Sequence, residues 1–453
     1  MKKIIGLGLI LLFLGSSWIG GFFVAEDHKT QPAQTVLPCD VNCTNLPIIL
    51  IDTKGEVIKK DSKVNVEVKV IDNEDKNSIE LTPDFISDAT IKYRGNSSYG
   101  TFDKFQYRVE FFDDIAKDDK RNYPLFGMAR ESDWVLYGPF LDRSLLRNRL
   151  MYGLSKDLLE WAPDTCFFEL YVDDEYQGVY LAVEPITASE NRIGLNQFGL
   201  LSGETPYIVR RDRVGTNHQV IQTYGEIMGY TSNELSIDYP GINNLTSQQY
   251  DWITQDVSRF EETLYSDYFD HPELGYEHLI NMSSFVDYFI LNEFAMITDS
   301  SELSTYVYKD LGGKLTFTVW DFNNGFNNYQ WTDQSYERYF NLDANWFDRL
   351  IQDRKFVSSI VERYRTLRKG ILSDAALMNR IDQEVLDLGD AVNRNFEVWG
   401  YTFNQNLLSK DSNGLIRDPK SYEDAINQLK DTILKRLNYM DNTIEDLYTY
   451  CIN

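Results

Sequence analysis

From Ile48 onward the chain sets apolar against polar residues in short alternating runs. Ile48 to Ile51, Val64 to Val70, Ile91-Lys92-Tyr93 and Tyr107 to Phe111 repeat with period two, which predicts half-buried strands of an antiparallel sheet. The period then lengthens. Leu145, Leu146, Arg149, Leu150, Leu154 and Leu158 fall at helical spacing, so a helix is expected over 142–159 with Asp142 as its N-cap. Phe167 to Val172 and Gly178 to Val183 flank the turn Asp173 to Gln177 and predict a hairpin.

Residues 186–245 are polar, rich in Asn, Thr and Gly, and weakly periodic, so they read as an irregular insertion. Helix is expected from Ser247 to about Tyr268. A second helix is announced by Ser284-x-x-Asp287 as a capping box, with Phe285, Phe289, Ile290, Phe294 and Ile297 on one face, and it stops at Thr298 to Ser301. Thr305 to Lys309, the turn Asp310 to Gly313 and the strand Lys314 to Asp321 make a compact hairpin. The remainder is helical. Its last element carries a core stripe of Ile426, Leu429, Ile433, Leu437, Met440, Ile444 and Leu447, capped by Ser421-x-x-Asp424. No repeat of fixed period occurs, which excludes solenoids and propellers.

Composition narrows the class. At 453 residues and 43% hydrophobic content the chain can bury a large core. A net charge of -26, with no block of Lys or Arg after the first three residues, repels a phosphate backbone and excludes nucleic acid as a partner. Met1-Lys2-Lys3 precedes an apolar run from Ile4 to Ala25, so residues 1–25 fit either a cleaved signal peptide or a membrane anchor. Both place the rest of the chain outside the cytoplasm, secreted or tethered. Residues 26–46 read as a linker. Four cysteines, Cys39, Cys43, Cys166 and Cys451, suit an oxidising compartment; for Cys39 and Cys43 a structural disulfide is favoured over zinc, since no His or second Cys pair lies near.

The chemistry is signalled by what is missing and by two acids. The sequence has no His-Glu-x-x-His, no Gly-x-Ser-x-Gly, no P-loop, and no Gly-x-Gly-x-x-Gly beyond residue 25. Asp299 lies just past a strongly apolar helix, and Asp321 ends the second strand of the following hairpin, so the hairpin can bring both carboxylates to one edge. On pattern alone they also read as a turn residue and a strand-end residue. Their order resembles the protein-kinase arrangement of a catalytic-loop acid followed by a metal-binding acid. Phosphoryl transfer needs a carboxylate-held divalent cation and a second carboxylate that orients the accepting hydroxyl. Ser304 stands where kinases place a supporting Asn. Arg94-Gly95-Asn96-Ser97-Ser98-Tyr99-Gly100 is a turn of small hydrogen-bonding residues, followed by Lys104, that can cradle phosphates or simply serve as a β-turn. Glu184 is a further acid at a strand end.

Several uncommon pieces then occur in one order: Arg94-Gly95-Asn96-Ser97-Ser98 with Lys104, Asp133-Trp134-Val135-Leu136, Asp142 to Asn148, Glu169 to Glu184, Asn292-Glu293 to Asp299, Tyr306 to Lys309, and Trp320-Asp321-Phe322. Together they resemble the spore-coat protein CotH family of atypical kinases, from about Leu46 to Leu447. The resemblance implies an α+β, two-lobed, protein-kinase-like fold, with an N-terminal antiparallel β-rich lobe over 47–185 and a larger helical lobe over 186–450. It implies use of ATP with Mg²⁺ or Mn²⁺ and phosphorylation of Ser in a protein substrate with a Ser-rich acceptor segment. Asp299 would be catalytic and Asp321 a metal ligand. Arg94, Ser97, Lys104, Glu184 and Ser304 would face the nucleotide. Two positions depart from the family pattern: Asn323 replaces the second Asp of Trp-Asp-x-Asp and would complete the metal site with one charge fewer, and Ser304 replaces the usual Asn. A noncatalytic surface-binding module on the same fold is the alternative.

Overall fold

The computed structural model describes residues 43–73, 76–196, 204–215 and 218–452. The segment expected to be a signal peptide or anchor, 1–25, most of the expected linker 26–46, and Cys39 lie outside them. Among the described residues no helix is long and apolar enough to cross a membrane.

The alternating runs form strands β1 (Ile48–Asp52), β2 (Val64–Ile71), β3 (Phe85–Arg94), β4 (Gln106–Asp114), β5 (Asp119–Lys120), β6 (Asp133–Tyr137), β7 (Thr165–Val172) and β8 (Glu175–Val183). Their order is β3-β2-β1-β7-β8-β6-β4-β5, and β3 also pairs with β4. The sheet therefore closes into a barrel of seven strands, with β5 hanging on β4. The antiparallel expectation holds at every pairing except β1 with β7, which run parallel. Alternation sends Ile49, Val66, Ile91, Val109, Trp134 and Phe168 into the barrel, where they pack together. On β6 and β8 the opposite residues, Val135, Tyr137, Leu181 and Val183, are buried as well, against the rest of the protein.

The segment expected to be irregular supplies a second sheet. Strands β9 (Tyr207–Arg211), β10 (Gln219–Ile221), β11 (Leu235–Tyr239), β12 (Thr305–Lys309) and β13 (Thr316–Thr318) run in the order β10-β11-β9-β12-β13. Tyr207, Ile208 and Val209 are fully buried in succession. β9 is a central strand covered on both faces, and such strands show no alternation.

Ten helices complete the described fold: α1 (Ser97–Thr101), α2 (Arg147–Lys156), α3 (Tyr224–Met228), α4 (Ser247–Leu264), α5 (Met282–Ala295), α6 (Phe347–Leu350), α7 (Arg354–Arg368), α8 (Asp374–Leu388), α9 (Ala391–Trp399) and α10 (Tyr422–Thr443). α5 is buried almost all round and runs through the main core. Its cap is Asn281 rather than Ser284, because Asp287 is drawn away into a two-point ion pair with Arg363 at 2.7 and 3.0 Å. Ser421 caps α10 as expected. Residues 41–453 form one compact unit, and α2, from the sequence's N-terminal half, shares its core with α5 and α10. Cys166 and Cys451 are free thiols, so neither takes part in a disulfide.

Candidate active site

One cavity of about 760 Å³ opens between the outer wall of the barrel and the loops after α5 and β13. Asp299, Ser304, Asp321, Asn323, Arg94 and Ser97 all line it. Six of the eight site residues expected from sequence therefore converge.

α5 ends at Met296, which adopts a left-handed conformation, and the chain folds into a tight loop. Asp299 accepts at its carbonyl from the N–H groups of Glu302 and Leu303 at 3.2 and 2.8 Å. Ser301 donates its N–H to the Tyr288 hydroxyl at 3.2 Å and its own hydroxyl to the Asn345 carbonyl at 2.7 Å. Ser301 and Ser304 both hold φ near +60° (66° and 49°), a costly conformation for residues with a Cβ. The loop is thus over-determined by the core beneath it, and Asp299 has a fixed backbone.

Asp321 follows β13 and also sits at positive φ, 65°. Two residues of α2 hold it there. The Asp321 N–H donates to the Tyr152 hydroxyl at 3.0 Å, and the Phe322 N–H donates to Asn148 Oδ1 at 2.8 Å. Arg147 extends the latch by donating to the Gly325 carbonyl at 2.9 Å. Asp142 does not start the helix as expected; it accepts the Arg147 N–H at 2.9 Å and pairs with the Arg147 guanidinium, so it organises the turn before α2.

The carboxylates raise each other's cost. Burial, then the neighbouring Asp299 charge, pushes Asp321 up to about 6, against the pull of Arg94. Asp299 is also raised, by burial first, and held back by its own N–H and by Arg213. Two recessed acids with elevated proton affinity, facing cations, form a site poised for a divalent ion.

The donor set fits such an ion. The Asn323 side-chain oxygen is buried with no hydrogen-bond partner, next in the chain but one to Asp321 and on the same cavity wall. An orphaned acceptor beside a carboxylate is what a hard cation would satisfy. Among the described residues no cluster of three or more His, Cys, Asp or Glu could hold a metal. The protein thus offers few ligands, which suits Mg²⁺ or Mn²⁺ retaining waters and sharing phosphate oxygens rather than a closed protein cage.

Two expected residues lie elsewhere. Lys104 is buried behind the wall, where its ammonium donates to the Val179 carbonyl at 2.7 Å and to Asn395 Oδ1 at 2.8 Å, over the Tyr180 and Trp399 rings. That role ties the barrel to α9 and leaves no charge for a phosphate. Glu184 is consumed by Arg192, 2.6 Å away, and by the Asp164 N–H at 3.0 Å. Neither side chain lines the cavity.

Sequence reasoning missed several wall residues: Lys92 and Arg108 on the barrel, Arg210 and Arg213 at and after the end of β9, and the latch residues Tyr152 and Asn148. Lys92 was detectable, because it shares the alternation phase of Arg94, whereas placing Arg108 beside it needs the β3–β4 register. β9 carried no such signal.

Residues 91–440 match the family model described as CotH kinase protein. A search of curated proteins finds no match.

Proposed function

Since the chain belongs to the CotH kinase family, its activity is of the kinase kind, and we propose that it transfers the γ-phosphoryl group of ATP to a Ser or Thr hydroxyl of a protein outside the cytoplasm. The supporting observation is the convergence of Asp299, Asp321 and the unpartnered Asn323 oxygen in one cation-lined cavity. On this reading the barrel and the helical part act as the two lobes of a kinase-like frame around that cavity.

Asp321 and Asn323 would hold Mg²⁺ or Mn²⁺, which when bound neutralises phosphate charge and polarises the transferring group. Asp299, on its pinned loop, accepts a hydrogen bond from the acceptor hydroxyl and orients it. Its raised proton affinity suits it to take up that proton as the oxygen attacks. Ser304 and Ser97 offer hydroxyls to phosphate oxygens from opposite walls. Arg94 stands beside Asp321 and stacks its guanidinium 5.4 Å over the Trp320 ring, so its orientation is set before any ligand arrives.

The test is incubation of residues 41–453 with γ-labelled ATP, Mg²⁺ or Mn²⁺, and a Ser-rich acceptor. Label transfer is expected from the wild type and from neither Asp299→Ala nor Asp321→Ala. A wild type that binds the metal–nucleotide pair without transferring label would favour a noncatalytic binding module instead.

A further inference from the structure

With Lys104 enclosed, the cation that meets the phosphate chain must come from elsewhere on the wall. β3 and β4 supply a candidate. Their register pairs Lys92 with Arg108 and Arg94 with Gln106. All four side chains line the cavity. Lys92 and Arg94 are two residues apart on one face, so their stems stand roughly 7 Å from each other along the strand.

Lys92 opposite Arg108 is a like-charge cross-strand pair, an arrangement that destabilises a sheet. Asp133 offsets the Arg108 charge, but among the described residues no acid contacts the Lys92 ammonium. Asp133 is engaged by Arg108, with one contact at 2.9 Å, and Glu110 by Lys63 and Lys120. Among the described residues the Lys92 ammonium makes no hydrogen bond and no ion pair, and burial followed by the Arg108 charge pushes it below the usual lysine range. The charges are also graded. Asp321 is the largest of the charges acting on Arg94, whereas Arg108 is the largest acting on Lys92, followed by Lys63, Glu110 and Asp133.

We propose that Lys92, Arg94 and Arg108 form a cradle for a phosphate chain, Arg94 at the end near Asp321 and Lys92 at the remote end. On the kinase reading above, which this inference deepens, the chain is the triphosphate of ATP, and Lys92 takes the phosphate farthest from the transferred group. An anion there converts the strained Lys92–Arg108 contact into a shared, charge-assisted pair of donors.

Calorimetric titration of the purified full-length protein with ATP, ADP, AMP and adenosine in Mg²⁺ tests this, alongside ligand-free melting. Lys92→Ala should weaken ATP and ADP by about tenfold or more, the scale of one charge-assisted hydrogen bond, and leave adenosine unchanged. Lys92→Arg should recover most of the loss. The ligand-free Lys92→Ala protein should melt higher than wild type, because a repulsive pair is gone. A residue that merely supports the fold would lower both quantities. ATP affinity unchanged in Lys92→Ala overturns the cradle and leaves the kinase reading intact. A wild type that ignores ATP but binds inorganic pyrophosphate, with binding lost in Lys92→Ala, upholds the cradle and overturns the kinase reading.

Discussion

At the scale of single residues, the site stores unfavourable electrostatics. Asp321 binds its proton up to about pH 6 in the folded protein, above the usual 3.8 of a free side chain. Between these values the folded, metal-free protein holds a proton that the unfolded chain has released. Stability therefore falls as pH rises through that window. Asp321→Asn should remove this slope, raise metal-free stability at pH 7 by up to about 3 kcal/mol, and abolish Mg²⁺ binding. Denaturation with and without Mg²⁺ across pH 4 to about 8 measures all three. In the wild type, Mg²⁺ affinity should weaken as pH drops below about 6, where the proton competes with the ion. Asn323→Asp restores a second carboxylate and should tighten Mg²⁺ by about tenfold, read by titration. Asp299 and Asp321 were legible because an apolar helix, a turn and a hairpin bring them together locally. Lys104 misled because a lysine beside a small-residue turn looks exposed, and only the distant Asn395 and Val179 show that its ammonium is spoken for.

Among the elements, α5 and α2 matter more than their lengths suggest. α5 carries Glu293, fully buried and paired with the equally buried Arg436 of α10 at 2.8 Å. Glu293 also accepts the N–H groups of Phe340 and Asn341 at 2.9 and 2.6 Å. Asn341 in turn meets Ser300, next to Asp299. Arg436→Met strands that charge and should cost about 3–5 kcal/mol, measured by chemical denaturation. α2 acts through single bonds. Tyr152→Phe removes the acceptor for the Asp321 N–H and should cost about 1 kcal/mol while lowering kcat more than it raises the KM for ATP, since metal placement rather than nucleotide affinity is disturbed. Helices with capping signals were readable in outline, as the Ser421 cap of α10 shows. β9 was not, because Tyr207-Ile208-Val209 is buried on both faces and gives no period.

For the molecule as a whole, a net charge of -26 surrounds a cavity whose wall is cationic. The distant field opposes an incoming polyphosphate while the wall attracts it at short range. The association rate of ATP should therefore rise, about twofold, as salt is raised toward roughly 0.15 M, the reverse of ordinary anion steering; stopped-flow fluorescence from Trp320 reads it. Six of the seven barrel strands were legible one by one; β6, a short run buried on both faces, and the closure itself were not. Closure depends on β3 meeting β4 and on β1 lying parallel to β7, and alternation within a strand says nothing about partners.

That parallel contact sets an order of events for a chain that is made from its N-terminus. Ile48 pairs with Glu169, so β1 can dock on β2 soon after both emerge but must leave its other edge bare until the hairpin β7–β8 arrives. Throughout that interval the strand Ile48-Ile49-Leu50-Ile51 offers an unpaired apolar edge to any neighbouring chain. A nascent protein stalled before residue 165 would be the aggregation-prone species, and a holdase that covers β1 during synthesis would matter more to its yield than the stability of the finished barrel.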